Sequence, residues 1–215
     1  MKRLLVLRPE PGNRTTVERA RMLGLDALSC PLFAVEPVDW TAPGTDGFDY
    51  ILFTSANALR HGGDQLSSLT ALPALAVGPA TADAACAAGF DIAMTGHEGV
   101  DALLAALPVT QRLLHLAGDE HRPATTRHTA ETVVVYRSVA LAAPGFPDGK
   151  LVALVHSPRA GQRFAELASD RANIAIAAIS AAAAAAAGAD WSKIVIADQP
   201  SDGALLALAA RLCQE

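Results

Sequence analysis

The chain has 215 residues, of which 51% are hydrophobic and 18% are charged, and its formal net charge is −5. This length and composition suit one large domain or two small ones, with enough apolar material for a packed core. The negative charge argues against nucleic acid as the main partner, because phosphate binding requires a basic face.

The basic residues are mostly arginines. Only three of the 17 are lysines, namely Lys2, Lys150 and Lys193. The planar fork of arginine pairs with both oxygens of a carboxylate, so the bias fits a carboxylate-rich ligand. A GC-rich genome also favours arginine over lysine, and both explanations stay open.

Cysteine usage and the apolar segments predict a cytoplasmic protein. Cys30, Cys86 and Cys213 are odd in number and widely spaced, so we expect reduced, buried thiols. The apolar run Leu4–Leu7 is too short for a signal peptide. The alanine-rich stretch Ile174–Ala189 falls short of the roughly 20 residues that a membrane span needs. We therefore expect no membrane partner.

Short apolar runs alternate with helix-like segments along the chain. In chain order, strands are predicted at Leu4–Leu7, Ala27–Leu32, Tyr50–Phe53, Leu75–Val77, Ile92–Met94, Leu113–Leu116, Thr132–Tyr136, Leu151–Val155, Ile174–Ile176 and Ile194–Ala197. Helices are predicted at Thr15–Leu23, Ala56–Arg60, Ala80–Ala87, Asp101–Leu107, Arg159–Leu167, Ala181–Ala187 and Gly203–Cys213, with a weaker candidate at Arg122–Thr129. Because the strands are continuously apolar rather than alternating, we expect parallel sheets buried on both faces.

An internal repeat relates the two halves of the chain. Three separate matches share one offset of 102 residues, and each falls at the same place in a strand–helix unit. The matched pairs are Ser55 with Ser157, Val77-Gly78 with Ile179-Ser180, and Ala102–Ala105 with Ala204–Ala207. The sequence therefore predicts two related βα layers.

The repeat also predicts the topology. The middle of the chain holds enough predicted strands for a complete doubly wound sheet, whereas the part after residue 150 lacks two. The N-terminal strands must supply these two, so the chain starts one lobe, builds the second and returns. We predict two flavodoxin-like doubly wound parallel-sheet lobes joined by a two-stranded hinge ladder. The predicted limits are 1–33 plus 142–215 for the first lobe, 40–133 for the second, and 34–39 and 134–141 for the connecting strands.

Ligands of open parallel sheets bind beyond the carboxyl ends of the strands, and here those ends are rich in small polar groups and helix starts. Helix-start N–H groups favour anions, so two such edges lining one cleft would offer many neutral donors. The alternative is that these groups only cap helices, at about 1 kcal/mol each. The groups are Arg8, Thr54, Ser55, Ala56, Gly78, Thr81, Ser157, Arg159 and Ser180.

Signatures of ATP, dinucleotide and serine-hydrolase sites do not occur in the sequence. The spacing of His121, His128 and Glu131 matches no standard zinc set, so no metal site is predicted. His115 and His156 lie inside strand patterns, which favours positions in the core or at its rim.

Five blocks resemble the signature blocks of the uroporphyrinogen-III synthase family, in the correct order and along the whole chain. That family's fold consists of two α/β lobes joined by a two-stranded ladder, with a discontinuous first lobe, which is the topology that the repeat predicts independently. The blocks are Leu7–Pro9, Ile51–Ala58, Ala76–Ala82, Val134–Arg137 and His156–Ala160.

The resemblance implies a cyclising lyase of haem biosynthesis. Hydroxymethylbilane, a linear tetrapyrrole, would lose its hydroxyl to give an azafulvene, which the substituted carbon of ring D attacks. A spiro intermediate would then fragment and reclose to uroporphyrinogen III with ring D inverted. No metal or organic cofactor is implied, and a monomer is expected, with at most a transient contact with the preceding pathway enzyme. The substrate's eight carboxylates suit Arg8, Arg137 and Arg159.

The resemblance also assigns roles to single residues. Tyr136 matches the family's cleft tyrosine, whose phenol would assist departure of the hydroxyl, although packing of the connecting strands is an equally open role. Ser55 and Thr81 suit substrate hydrogen bonds better than proton transfer. Where relatives often have a Gly-Pro-Thr-Thr-like turn, this chain has Ser180–Ala183, which leaves Ser180 as the hydroxyl donor there.

Two other interpretations stay open at this point. One is a two-lobed, non-catalytic binding protein for a small anionic ligand. The other is a regulatory module derived from a synthase that has lost its activity.

Overall fold

The computed structural model describes residues 2–97, 99–121 and 127–215. Within them the strands are β1 (Arg3–Val6), β2 (Ala27–Ser29), β3 (Phe33–Pro37), β4 (Tyr50–Phe53), β5 (Ala74–Val77), β6 (Ile92–Gly96), β7 (Arg112–Gly118), β8 (Thr129–Ala140), β9 (Leu151–Val155), β10 (Ile174–Ala178) and β11 (Lys193–Ile196). The helices are α1 (Gly12–Met22), α2 (Ala56–His61), α3 (Pro79–Ala87), α4 (Val100–Ala105), α5 (Pro158–Leu167), α6 (Ala181–Ala187) and α7 (Asp202–Gln214), and 3-10 helices cover Gly63–Leu69 and Arg171–Asn173.

The first sheet has the strand order β11-β10-β9-β1-β2, and all of its strand pairs are parallel. It combines strands from the two ends of the chain, with Leu5 lying between Leu28 on one side and Ala153 on the other. The central strands β9 and β10 are buried at every residue. This burial confirms the predicted class of parallel α/β layers, because both sheet faces are covered by helices.

The second sheet has the strand order β3-β8-β7-β4-β5-β6, and the pairs from β8 to β6 are parallel. At its other edge β3 lies beside β8. The N–H of Val38 donates to the carbonyl of Val135 and the N–H of Leu141 donates to the carbonyl of Leu32, at 3.2 and 3.0 Å. Residue numbers rise along one strand as they fall along the other, so β3 and β8 run antiparallel.

The chain divides into two compact units, Met1–Ala34 with Val139–Glu215 and Val35–Ser138. In the first unit, alternate residues of each strand face opposite layers. Leu5 and Ala153 pack with α5 and α6, whereas Leu4 and Val152 pack with α1 and α7. The N-terminal strand β1 therefore contributes to both hydrophobic layers of this unit.

The second unit also has a core on each face of its sheet. Phe53 and Leu114 pack with α2, α3 and the 3-10 helix, and the ring of Phe53 meets that of Phe90 edge-on at 5.0 Å. On the other face, Leu52 and Leu75 pack against α4. Each unit thus buries its own apolar surface.

The close packing of α6 on α5 depends on small side chains. α6 consists of seven alanines, and alanine has the highest helix propensity of all residues. A Cβ atom at Gly161 of α5 would lie 2.8 Å from the carbonyl oxygen of Ala183 and 3.1 Å from the backbone nitrogen of Ala187. Glycine at this position lets the two helix backbones approach each other.

The predicted strands and the main predicted helices are present, with ends that differ by a few residues. The largest difference is β8, which runs from Thr129 to Ala140 rather than from Thr132 to Tyr136. The weaker helix candidate Arg122–Thr129 is wrong at its end, because Thr129 begins β8; its residues 122–126 lie outside the described residues. The expectation of buried thiols holds for Cys30 and Cys213, whereas Cys86 is exposed. Within the described part of the chain, no helix has the length and hydropathy needed to cross a bilayer.

Replacing Gly161 with Ala should destabilise the protein. The added methyl would meet backbone atoms of α6, which cannot rotate away, and overpacking of this kind costs about 1–3 kcal/mol. Gly203→Ala is the matched control, since a Cβ there meets nothing within 4 Å. Urea unfolding of both variants measures the difference, and equal stability of the two would contradict the packing described here.

Candidate active site

The carboxyl edge of each sheet is the side at which its parallel strands end. In the second unit, Thr54 directly follows β4 and His115 lies in the neighbouring strand β7. The Thr54 Oγ1 atom is 3.0 Å from the His115 Nε2 atom, and His115 is only 6% exposed. The burial of His115 agrees with the core or rim position predicted for it.

His115 is uncharged at neutral pH. Burial lowers the pKa of His115 most, and the nearby His121 adds to the effect, so that the pKa falls to about 4. The two imidazole rings meet edge-on at 5.7 Å. A neutral imidazole has one donor and one acceptor nitrogen, so His115 can fix the direction of the Thr54 hydroxyl without bringing a charge to the site.

Tyr136 lies in β8, next to β7 in the same sheet. Its backbone carbonyl accepts a hydrogen bond from the N–H of Asp119 at 3.0 Å. Its ring centroid is 6.3 Å from that of His61, whose pKa is lowered by burial and by Arg60. Thr54, His115 and Tyr136 therefore belong to three adjacent strands of one sheet: Thr54 directly follows β4, His115 lies within β7 and Tyr136 lies within β8.

All three predicted site serines cap helices. The Ser55, Ser157 and Ser180 hydroxyls accept from the backbone N–H groups of Asn57, Ala160 and Ala183, at 3.2, 3.2 and 3.3 Å. This is the role that the capping alternative describes. A hydroxyl that accepts one bond still has its proton to donate, so capping and ligand binding are compatible.

The start of α3 contributes Gly78 and Thr81. Gly78 has a φ of 88°, a left-handed conformation that favours glycine, and Pro79 follows at the first helical position. Thr81 is 6% exposed, and Ala56 is also buried at the start of α2. These residues shape the edge mainly through the backbone.

In the first unit, Asp202 is the centre of a polar network that the sequence reasoning missed. It is the first residue of α7, and its carboxylate accepts from Thr16 Oγ1 at 2.8 Å and from His156 Nε2 at 3.0 Å. Arg8 and Arg19 each approach it to 3.3 Å. The one local signal was a Ser-Asp helix start, which predicts a cap and not these distant partners.

The network keeps Asp202 ionised. Burial on its own would raise the pKa of this carboxyl, but the hydrogen bonds from His156 and Thr16 and the charges of His156 and Arg8 outweigh it. The pKa falls to about 2. The Asp202 side chain is 17% exposed, so its charge is partly shielded from water and depends on these donors.

The three arginines predicted to meet substrate each have a partner within the chain. Arg8 pairs with Asp202, and Arg137 Nη2 lies 3.2 Å from Glu36 Oε2. The guanidinium carbon of Arg159 lies 4.3 Å from the centre of the Phe33 ring. The arginines are therefore held in place by contacts that the sequence did not indicate.

Two further features are the surroundings of His121 and a hollow on the surface. His121 Nδ1 is 2.9 Å from the Gly118 carbonyl oxygen, and no group of three or more potential metal ligands occurs among the described residues. A surface hollow of about 400 Å³ lies at the amino ends of β1 and β9, lined by Lys2, Arg3 and Lys150 among others. It is at the opposite end of those strands from the polar residues described above.

Two sheets of mainly parallel strands, each packed against helices, define a two-unit α/β protein, and proteins with open sheets of this kind bind ligands at the carboxyl ends of their strands. The family model described as uroporphyrinogen-III synthase HemD matches residues 14–207. The chain belongs to the uroporphyrinogen-III synthase family, whose members are cyclising lyases of tetrapyrrole biosynthesis.

Solved structures agree with this fold. The chain is similar to uroporphyrinogen-III synthetase from Helicobacter pylori, at 20% identity and a TM-score of 0.72 over 99% of this chain and 100% of that one. It is also similar to a mutant uroporphyrinogen III synthase from Thermus thermophilus, at 18% identity and a TM-score of 0.55 over 100% of both chains. No curated protein matches the sequence.

Replacing His115 with Gln should remove a pH-dependent part of the stability. Because the folded pKa of about 4 lies below the ordinary value of 6.5, the unfolded chain takes up this proton first as the pH falls. Native stability is then lost between pH 6.5 and 4, by up to about 3 kcal/mol. Urea unfolding across this range should show a shallower decline for His115→Gln than for wild type. The exposed His97, changed to Gln, should keep the wild-type slope; equal slopes in all three proteins would contradict this account.

Asp202→Asn tests the network in the first unit. The folded pKa of about 2 lies below the ordinary 3.8, so the stabilisation is complete above pH 3.8 and is lost as the pH falls toward 2. We expect Asp202→Asn to be about 2 kcal/mol less stable than wild type at pH 7, with a smaller gap at pH 3. The exposed Asp46, changed to Asn, should lie close to wild type at both pH values. A gap for Asp202→Asn that is independent of pH would contradict the ion-pair explanation.

Proposed function

We propose that this chain converts hydroxymethylbilane to uroporphyrinogen III, closing the ring with inversion of ring D and loss of water. The observation that carries the proposal is the presence of hydroxyl and helix-start donors at the carboxyl edges of both sheets, in a chain whose residues 14–207 match the family. Membership of this family is also why a purely non-catalytic binding protein is not favoured.

We propose that the substrate carboxylates bind mainly to these neutral donors. The site residues on the second edge are Thr54, Ser55, Ala56, Gly78 and Thr81, and those on the first are Ser157 and Ser180. A hydrogen bond to a charged group contributes about 1.5–3 kcal/mol, so a few of them suffice to hold an anionic chain. Backbone N–H groups at the alanine-rich start of α6 would replace the hydroxyls that relatives often have there.

Arg8, Arg137 and Arg159 supply the positive charge in this proposal. The exposed ion pair between Arg137 and Glu36 contributes at most about 1 kcal/mol, so a substrate carboxylate can displace Glu36. Stacking on Phe33 uses the face of the Arg159 guanidinium, whereas its N–H groups lie along the edge. Arg8 is 34% exposed while bound to Asp202, and it would share its remaining donors.

The chemical step requires that the hydroxyl leaves and that the substituted carbon of ring D reaches the resulting cation. We propose that Tyr136 assists departure of the hydroxyl through its phenol, as a general acid. The rest of the catalytic effect comes from orientation, because holding a flexible chain in one folded form removes several kcal/mol of entropic cost in advance. The chemistry proposed here uses the side chains of the protein.

We also propose a flavodoxin-like arrangement with the predicted lobe limits 1–33 plus 142–215 and 40–133. The strand orders support a repeat. If the strands of the first sheet are numbered 1 to 5 in chain order, their order in the sheet is 2-1-3-4-5, read from β2 to β11. The second sheet, read from β8 to β6, has the same order if β7 and β8 are numbered 1 and 2 and β4, β5 and β6 are numbered 3, 4 and 5. The antiparallel strands β3 and β8 would form the connecting ladder and allow hinge motion. A cytoplasmic monomer, in transient contact with the preceding pathway enzyme, completes the proposal.

The experiment is to incubate the purified protein with hydroxymethylbilane and to separate the type I and type III isomers of the product. We expect type III to predominate at catalytic amounts of protein. Formation of only type I, the isomer that arises spontaneously, would contradict the proposed function.

A further inference from the structure

We propose that Gly118 is a positioning residue for the cyclisation, because it holds the phenol of Tyr136 in place. The inference rests on the catalytic role proposed for Tyr136 and extends it to the residue beneath the ring. Three observations at the C-terminal end of β7 support it.

The first observation is steric. A Cβ atom at Gly118 would lie 2.6 Å from Cε2, 2.7 Å from Cζ and 3.0 Å from Oη of Tyr136. The backbone of Gly118 is not among those with positive φ, so its conformation would accept any residue. The requirement for glycine therefore comes from the tyrosine ring, which lies against the bare backbone.

The second observation is a shift in the register between β7 and β8. Ala117 pairs with Val134, but the next residue, Gly118, pairs with Tyr136. Val135 is thus the extra residue of a β-bulge, and its side chain is fully buried in the core. Bulges re-aim side chains and are common beside active sites, and this one places Tyr136 directly opposite Gly118.

The third observation is that hydrogen bonds fix both sides of the contact. The N–H of Asp119 donates to the Tyr136 carbonyl at 3.0 Å. The Gly118 carbonyl lies 3.1 Å from the backbone N–H of His121 and 2.9 Å from its Nδ1 atom. Because these bonds hold the backbone on both sides of the contact, we expect a methyl group at residue 118 to displace the ring rather than the strands.

Displacement of the ring would move the phenol oxygen away from the reacting hydroxyl. A misplacement of about 1 Å can cost up to about a hundredfold in rate. We therefore expect Gly118→Ala to lower kcat at least roughly tenfold while KM changes little, because the carboxylate donors elsewhere are untouched.

The test is a cycle of Gly118→Ala, Tyr136→Phe and the double variant, measured by kcat, KM and thermal unfolding. In the Tyr136→Phe background the hydroxyl is already gone, so adding Gly118→Ala should change kcat less than about twofold. The ring clash persists without the hydroxyl, so the fall in Tm caused by Gly118→Ala should be similar in both backgrounds. Gly47→Ala is the control that should keep wild-type kcat, since its Cβ would come no closer than 3.5 Å to another atom.

The outcomes separate the two proposals. Wild-type kcat in Tyr136→Phe would overturn the role of Tyr136 itself. A reduced kcat in Tyr136→Phe together with wild-type kcat in Gly118→Ala, or an equal loss from Gly118→Ala in both backgrounds, would overturn only the positioning role of Gly118.

A second measurement holds even where Gly118→Ala does not fold. The chain has two tyrosines, so the ring protons of Tyr136 are readily assigned by NMR in the wild-type protein. We expect nuclear Overhauser effects from these protons to the Gly118 α-protons, and their absence would overturn the inference.

Discussion

The parallel pairing of β1 with β9 is the interaction on which the first unit depends. Leu4, Leu5 and Val6 are fully buried, and the backbone groups of such a strand must find hydrogen-bond partners within the protein. β2 supplies those partners on one side of β1, and β9, which follows the second unit in the chain, supplies them on the other. Because every pair in this sheet is parallel, the same pairing aligns the ends of β1, β9 and β10, and Arg8, His156 and Ser180 follow them on one edge.

The two carboxyl edges accommodate buried polar side chains in different ways. On the first edge a carboxylate stays ionised at Asp202, because hydrogen bonds and cationic neighbours compensate its burial. On the second edge burial keeps His115 neutral, and its hydrogen bond to Thr54 carries no net charge. The first arrangement ties the start of α7 to α1 and to the residue after β9, whereas the second leaves an uncharged pair of polar side chains in the second sheet.

Much of the fold could be predicted because its signals are local. Continuous apolar runs mark buried strands such as β9, and serines mark helix starts such as those of α2 and α5. The parts that could not be predicted depend on contacts between distant residues: Thr16 and His156 meet at Asp202, and the bulge at Val135 exists only in the register with β7. Cys86 lies in an alanine-rich helix, where small side chains on all faces give no clear stripe to separate buried from exposed positions. The roles of the site residues remain predictions for the same reason, because binding also depends on contacts between residues that are distant in the sequence.

The proposed function requires that a tetrapyrrole binds at the carboxyl ends of the parallel strands. Hydrogen exchange measured by mass spectrometry, with and without uroporphyrinogen III, tests it most directly. We predict slower exchange on binding at the strand–helix junctions after β4 and β5 in one unit and after β9 and β10 in the other, with no change around Lys2 and Lys150 at the amino ends. Unchanged exchange at these junctions, or protection at those amino ends, would contradict this proposal.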